Sequence, residues 1–277
     1  MTLRPLSHLS EIIDDFDLFL VDQFGVLHDG QSVLPGALTT LNHLINSEKT
    51  VIVITNSGKR ATYNEARMTK MGFPRNAYSH LVSSGEVTRT ILQESRFSSQ
   101  SRCFLIASGS ESNFLDGLEL TQTSDPLAAD LILITGGEGD RYPEEYYRQL
   151  LKSAAAKHTP CICSNPDMIS LLGDLRYFGP GRIAQIYEEM GGSVRYIGKP
   201  HPEIYHQAAS LAGSIAAERT LCIGDSIEHD IAGATAAGFK SLLITDGILR
   251  GLDLTELNRL CNQHQALATY RMPQLSL

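Results

Sequence analysis

The sequence predicts an α/β fold: a parallel sheet carried by two separated segments of the chain, with a second α/β domain inserted between them. Two observations predict it. Short apolar runs alternate with helical patterns along the whole chain, the signature of βαβ units. The apolar runs of the two outer segments end on polar or charged residues, whereas those of the middle end mostly on small ones. A length of 277 residues suits one large domain or two modest ones. With 42% hydrophobic and 19% charged residues, the chain has the composition of a protein that buries a core, which excludes wholesale disorder.

The elements follow in order. Leu18-Phe19-Leu20-Val21 is the first strand and closes on Asp22. After Pro35-Gly36 comes a helix with Leu38, Leu41, Leu44 and Ile45 on one face. Val51-Ile52-Val53-Ile54 closes on Thr55-Asn56, and a helix from Ala61 to Met71 is stopped by Gly72 and Pro74. The middle carries strands at 103–107, 131–135 and 161–163. The insertion is placed at 85–186, entering after Ser83-Ser84 and leaving near Gly179-Pro180-Gly181, so that 1–84 and 187–277 form the core. In the returning segment Val194-Arg195-Tyr196-Ile197 is read as a core strand leading to Gly198-Lys199-Pro200. A helix with Ile204, Ala208, Leu211 and Ala212 stops at Gly213. Thr220-Leu221-Cys222-Ile223 then closes on Gly224-Asp225, an alanine-rich helix stops near Gly238, and Leu242-Leu243-Ile244 is one more strand.

Charge and cysteine usage narrow the class. Lys+Arg number 23 against 31 Asp+Glu, a formal net charge of −8, which is unsuited to gripping a nucleic-acid backbone. The five cysteines are odd in number and form no CxxC pair, which argues against a disulfide framework and a zinc knuckle. Cys161 and Cys163 flank Ile162 in an apolar run and read as buried thiols, with a metal or redox pair as the alternative. The N-terminal segment becomes charged too early for a signal peptide, and no apolar run approaches the ~18–20 residues of a membrane span. These features predict a reduced, soluble, cytoplasmic protein with neither a nucleic-acid nor a membrane partner.

In an open parallel sheet, ligands bind beyond the carboxyl ends of the strands. Asp22, Thr55-Asn56, Lys199 and Asp225 each stand at such an end or just past it. Singly, such residues are ordinary caps, turn formers or solvated charges. Together they bring two carboxylates, a hydroxyl, an amide and an ammonium to one rim. That set suits a magnesium ion, which takes hard oxygen ligands, and a phosphoryl group, which takes a positive charge and small donors.

Asp22-Gln23-Phe24-Gly25-Val26-Leu27, the strand closing on Thr55, Lys199, and Gly224-Asp225-Ser226-Ile227-Glu228-His229-Asp230 resemble the four motifs of the haloacid dehalogenase superfamily. His28-Asp29-Gly30, Pro35-Gly36-Ala37, Thr55-Asn56-Ser57-Gly58 and Gly198-Lys199-Pro200-His201-Pro202 resemble its NagD-like, class IIA branch, as does the insertion between the second and third motifs. The resemblance implies a Rossmann-like, doubly wound parallel-sheet core with an inserted α/β cap domain, and a magnesium-dependent phosphatase acting on a small phosphorylated metabolite. It implies Asp22 as the nucleophile that forms an aspartyl-phosphate, Thr55 and Asn56 as phosphoryl contacts, and Lys199 as their counter-charge. Magnesium would be held by Asp22, the backbone carbonyl of Phe24 and Asp225, with Asp230 orienting a metal-bound water or steadying Lys199. A homo-oligomer through the cap is a further implication.

The chain departs from the family's phosphatases at Phe24, where they carry a second aspartate as general acid and base. Losing such a group costs ~10²–10⁴ in rate. Three readings stay open: a phosphatase that is slow or restricted to good leaving groups; a dehalogenase-type or phosphonate hydrolase; and a phospho-ligand binding or regulatory protein that has lost turnover. His28, Asp29 or a cap residue are the substitutes for the missing donor, with a partly exposed loop position the commoner fate of such a histidine. Asn165-Pro166-Asp167 resembles a signature of the same branch that borders the substrate, with Asn165 as the contact, and reads equally as a plain turn. Gly136-Gly137-Glu138-Gly139-Asp140 lacks the lysine of a phosphate loop and reads as a crossover. Lys59-Arg60, His201 and His229 read as surface or local hydrogen-bonding residues.

Overall fold

A computed structural model describes residues 3–95, 97–109, 113–172 and 175–277. The chain divides into two compact units: Met1–Thr55, Thr62–Val82 and Lys199–Leu277 in the first, Asn56–Ala61 and Ser83–Gly198 in the second.

The first unit is built on a seven-stranded sheet. Its order runs Arg4–Pro5, Tyr270–Met272, Lys240–Ile244, Thr220–Gly224, Leu18–Asp22, Thr50–Thr55, His80–Ser83. The pairs from Arg4–Pro5 across to Thr50–Thr55 are parallel. Leu18–Asp22 is buried along its whole length, as expected of a central parallel strand covered on both faces. From Leu18–Asp22 the chain builds outward to one edge. It later returns to lay Thr220–Gly224 on the other side of that strand and builds to the opposite edge. The order therefore reverses between Leu18–Asp22 and Thr220–Gly224, and the crevice beyond such a switch point is where open α/β sheets take ligands.

The second unit holds a five-stranded parallel sheet in the order Val194–Tyr196, Cys161–Cys163, Leu131–Ile134, Arg102–Ile106, Thr121–Gln122. An antiparallel hairpin, Ile169–Leu172 with Leu175–Phe178, accompanies it. Ile132, Ile134, Leu151, Ala154, Ile183 and Tyr187 form its core, in which the helices Glu144–Ala156 and Pro180–Glu189 pack on the sheet.

Two features differ from the sequence reading. Val194–Tyr196, expected as a core strand, is an edge strand of the second sheet, where Val194 and Tyr196 pack against the second unit's core. A three-residue apolar strand carries no mark of which sheet it joins; its partner, Cys161–Cys163, is more than thirty residues away. The chain accordingly leaves the second unit at Gly198 rather than at 186, and the short segment Asn56–Ala61 also belongs there. Among the described residues no helix is long and apolar enough to cross a membrane. All five cysteines are free and buried, as the apolar surroundings of Cys161 and Cys163 indicated.

Candidate active site

Register sets the rim of the first unit. Asp22 pairs with Ile54 on one side, and Val21 pairs with Ile223 on the other. Thr55 thus comes one residue after Asp22's partner, and Gly224-Asp225 follows directly across the switch point. Past Gly224 the chain enters a single wide helical turn, Ile227–Ile231, with the i→i+5 hydrogen-bond spacing that recurs at functional sites. The Ser226 hydroxyl caps it by accepting from the His229 N–H at 3.2 Å, and the turn buries Ile227 and Ile231. That geometry turns Asp230 inward, where its Oδ2 accepts from the Ser226 N–H at 3.0 Å.

Lys199, Asp22, Asp225 and Asp230 meet in the interior, all buried. Lys199 Nζ lies 2.5 Å from Asp22 Oδ1 and 2.6 Å from Asp230 Oδ1. The carboxylates of Asp22, Asp225 and Asp230 each offer an oxygen within 4.8 Å of the others. Backbone without side chains makes room for them. Gly25 has φ +80°, and a Cβ there would stand 1.9 Å from Asp225 Oδ2; one at Gly224 would stand 2.1 Å from Asp230 Cγ.

Three carboxylates thus face one ammonium in a space shielded from water. Burial pushes Asp22 well above the usual carboxylate range; Lys199 opposes that, while Asp230 and Asp225 add to it. Asp225 is pushed up to about 7 by burial and by Asp230, with the Ile248 N–H, 2.9 Å from its Oδ2, partly compensating. Burial alone would depress Lys199, but Asp22 and Asp230 outweigh it and hold the ammonium above its ordinary value. The excess of buried negative charge over the single lysine is the condition that a divalent cation relieves, and the donors are hard oxygens. The residues present fit magnesium.

The loop after Asp22 is packed upon itself. Phe24 is half-buried, its ring edge-on to His28 with centroids 6.0 Å apart, and a Cβ at Gly30 (φ +98°) would come 3.0 Å from that ring. His28 is 1% exposed, not the partly exposed loop residue expected. Its Nδ1 accepts from the Gly30 N–H at 3.0 Å, which leaves the ring proton on Nε2. Burial, and then Arg67, push its pKa down to about 4, so the imidazole is neutral at pH 7. Asp29 is held below the usual carboxylate range by the Ser32 and Gln31 N–H groups its carboxylate accepts from. Neither residue replaces a general acid at neutral pH.

Thr55 ends its strand buried. Asn56 begins the next segment, in the second unit, and its Nδ2 donates to Asp167 Oδ1 at 2.8 Å. Asn165, in the same unit, accepts the Asp167 N–H on its Oδ1 at 3.0 Å. The sequence reading missed the loop at Gly247-Ile248, which reaches Asp225. A signal existed, since the strand Lys240–Ile244 also runs into a polar stretch with a glycine, Thr245-Asp246-Gly247.

Comparison with known proteins gives similarities to one group of hydrolases. The haloacid dehalogenase-like hydrolase family matches residues 19–121, and a second family described as HAD-hydrolase-like matches residues 196–267. A hydrolase of the haloacid dehalogenase-like family from Brucella suis superposes with a TM-score of 0.83 at 28% identity, covering 99% of this chain and 100% of that one. Haloacid dehalogenase-like hydrolase domain-containing protein 2 of Bos taurus is 26% identical over 86% of this chain and 88% of its own length. D-glycerol 3-phosphate phosphatase of Mycobacterium tuberculosis is 23% identical over 87% of this chain and 66% of its own. A glycerol phosphate phosphatase structure from that organism, solved in complex with magnesium, matches with a TM-score of 0.69 at 21% identity, covering 86% of this chain and 70% of that one.

Proposed function

We propose that this chain is a haloacid dehalogenase-like hydrolase, and within that class a magnesium-dependent phosphatase of a small phosphorylated metabolite, working through an aspartyl-phosphate on Asp22. The observation that carries the reading is the buried cluster itself: the Asp22 carboxylate held by Lys199, beside the carboxylates of Asp225 and Asp230.

Lys199 holds Asp22 Oδ1 and so leaves Oδ2 to attack phosphorus. The new bond is Asp22 oxygen to phosphorus, and the bond broken is phosphorus to the ester oxygen. Splitting one displacement into two in this way lowers each barrier. The Thr55 hydroxyl and Asn56 hold the phosphoryl oxygens, and the Lys199 ammonium offsets the charge that collects on them. Asp230, fixed by Ser226 N–H, keeps Lys199 in place. Asp22, the Phe24 carbonyl and Asp225 would hold magnesium, which would supply further charge neutralisation at the phosphoryl group.

Phe24 stands where the family's phosphatases carry their proton donor, and the loop provides no substitute. The leaving oxygen then departs without a proton from this loop, and water attacks the acyl-phosphate without a base. The substrates best served are therefore aryl or acyl phosphates. The second unit is read as the cap that selects among them, with the Asn165 amide as one contact and a surface for a homo-oligomer. Five buried, free thiols suit a reducing, cytoplasmic setting.

The neutral His28 and the committed Asp29 also support a second reading, a phospho-ligand binding protein without turnover. One experiment separates the two. Magnesium-dependent release of p-nitrophenol from p-nitrophenyl phosphate, lost in Asp22→Asn, supports the phosphatase. Phosphate binding without release supports the binding protein. Metal-independent chloride release from a 2-haloacid would overturn both.

A further inference from the structure

We propose that Asp167 is a positioning residue for Asn56, and that the Asn165-Pro166-Asp167 turn exists to set the direction of that amide. The inference rests on the reading of Asn56 as a phosphoryl contact.

The turn is braced from several sides within the second unit. The Asp167 N–H donates to Asn165 Oδ1 at 3.0 Å, and its carbonyl accepts from the Gly181 N–H at 3.0 Å. A Cβ at Gly179 would stand 2.2 Å from Asp167 O, and one at Gly181 2.2 Å from Pro166 O. The start of the Pro180–Glu189 helix therefore lies directly against the turn and gives its carboxylate a rigid base.

The Asp167 Oδ1 accepts a hydrogen bond here, and that pairing selects the nitrogen end of the Asn56 amide. Nδ2 turns to Asp167 at 2.8 Å, and Oδ1 lies on the side of Gly198. A Cβ at Gly198 (φ +117°) would come 2.8 Å from that Oδ1, 3.0 Å from Pro166 Cδ and 3.0 Å from Ser84 Oγ. Asn56 and Gly198 are residues at which the chain enters or leaves the second unit. One follows Thr55 and the other precedes Lys199. A turn 111 residues away from Asn56 thus holds the side chain of the residue that follows Thr55.

The test is orthophosphate binding by calorimetry in the presence of Mg²⁺, with the melting temperature as a control for folding. Asp167→Ala should weaken binding roughly 10- to 150-fold, the scale of one hydrogen bond to a charged group. Asp167→Asn, which keeps an acceptor oxygen and the Asn165 bond, should recover to within about threefold of the native chain. In an Asn56→Ala background, Asp167→Ala should add nothing, because a residue that acts through Asn56 has no other route to the anion. Asp167→Ser keeps a turn former but cannot reach Nδ2, and serves where Asp167→Ala does not fold. Full losses that multiply in the double variant overturn the proposal, as does native binding in Asp167→Ala. A native chain that binds no orthophosphate with Mg²⁺ is a different failure: it removes the site reading beneath the proposal.

Discussion

The two units are both parallel α/β sheets, yet they use the carboxyl ends of their strands in opposite ways. In the first unit the rim gathers Asp22, Asp225 and Asp230 around Lys199, a concentration of like charge that burial makes costly. In the second, the positions past Arg102–Ile106 and Leu131–Ile134 are small, Ala107-Ser108 and Thr135-Gly136, and backbone packs on backbone. A Cβ at Gly136 would stand 2.5 Å from Ser108 N, and one at Gly58 1.9 Å from Thr135 O. The architecture is common to the two; the residues one or two places past each strand decide whether the rim stores electrostatic tension or packing. A substitution in the first should change chemistry at little cost in stability. A substitution in the second should do the reverse.

The largest expected effect tests the first half of that contrast. Asp22→Asn should lower p-nitrophenyl phosphate turnover by about 10³ or more, because the proposed nucleophile is gone. The melting temperature of the metal-free protein should not fall, since one of three crowded carboxylates has been neutralised. A cold-sensitive or unfolded variant would mean that Asp22 is a structural ion-pair residue. Next in size, Phe24→Asp should raise turnover of a simple alkyl phosphate by about 10²-fold, and that of p-nitrophenyl phosphate by less, because the aryl leaving group needs little proton donation. Equal gains on the two substrates would break the leaving-group argument.

The second unit gives the smaller, inverse effect. Gly136→Ala forces a methyl against Ser108 N, where neither backbone can yield; overpacking of this kind costs about 1–3 kcal/mol. The melting temperature should drop by several degrees, while the Mg²⁺ dependence of turnover should stay as in the native chain. A shift in metal dependence without loss of stability would contradict the division of labour.

Most of the first rim was legible in the sequence because strand ends are local facts. An apolar run that stops at Asp22 or Gly224-Asp225 announces its own terminus, and a parallel sheet aligns such termini. What depended on distant partners was not legible. Val194–Tyr196 joins the second sheet through Cys161–Cys163, and nothing in three residues names that partner. His28 sits in a glycine-flanked turn that reads as exposed, and packing with Phe24 and Gly30 buries it. The bond from Asn56 to Asp167 spans 111 residues, so a motif at one end and a turn at the other stood unconnected until the fold joined them.

Magnesium should produce the most local effect. A ligand that binds only the native state stabilises it by an amount set by its concentration relative to Kd, about 2.7 kcal/mol at a hundredfold excess. For a chain of this size that is an upward shift of several degrees in melting temperature. The gain should vanish in Asp225→Ala, where the ion loses a carboxylate and the remaining ones already have Lys199. Hydrogen exchange should show where the stabilisation goes. The amides around Asp22, Ser226 and Ile248 should slow when Mg²⁺ is added, since those of Ser226 and Ile248 donate to the carboxylates of Asp230 and Asp225. The Leu131–Ile134 strand, the central strand of the second sheet, should exchange at the same rate with and without the ion. Protection that spread equally through both sheets would mean that the ion stiffens the chain as a whole, and the contrast between a charged rim and a packed one would lose its physical basis.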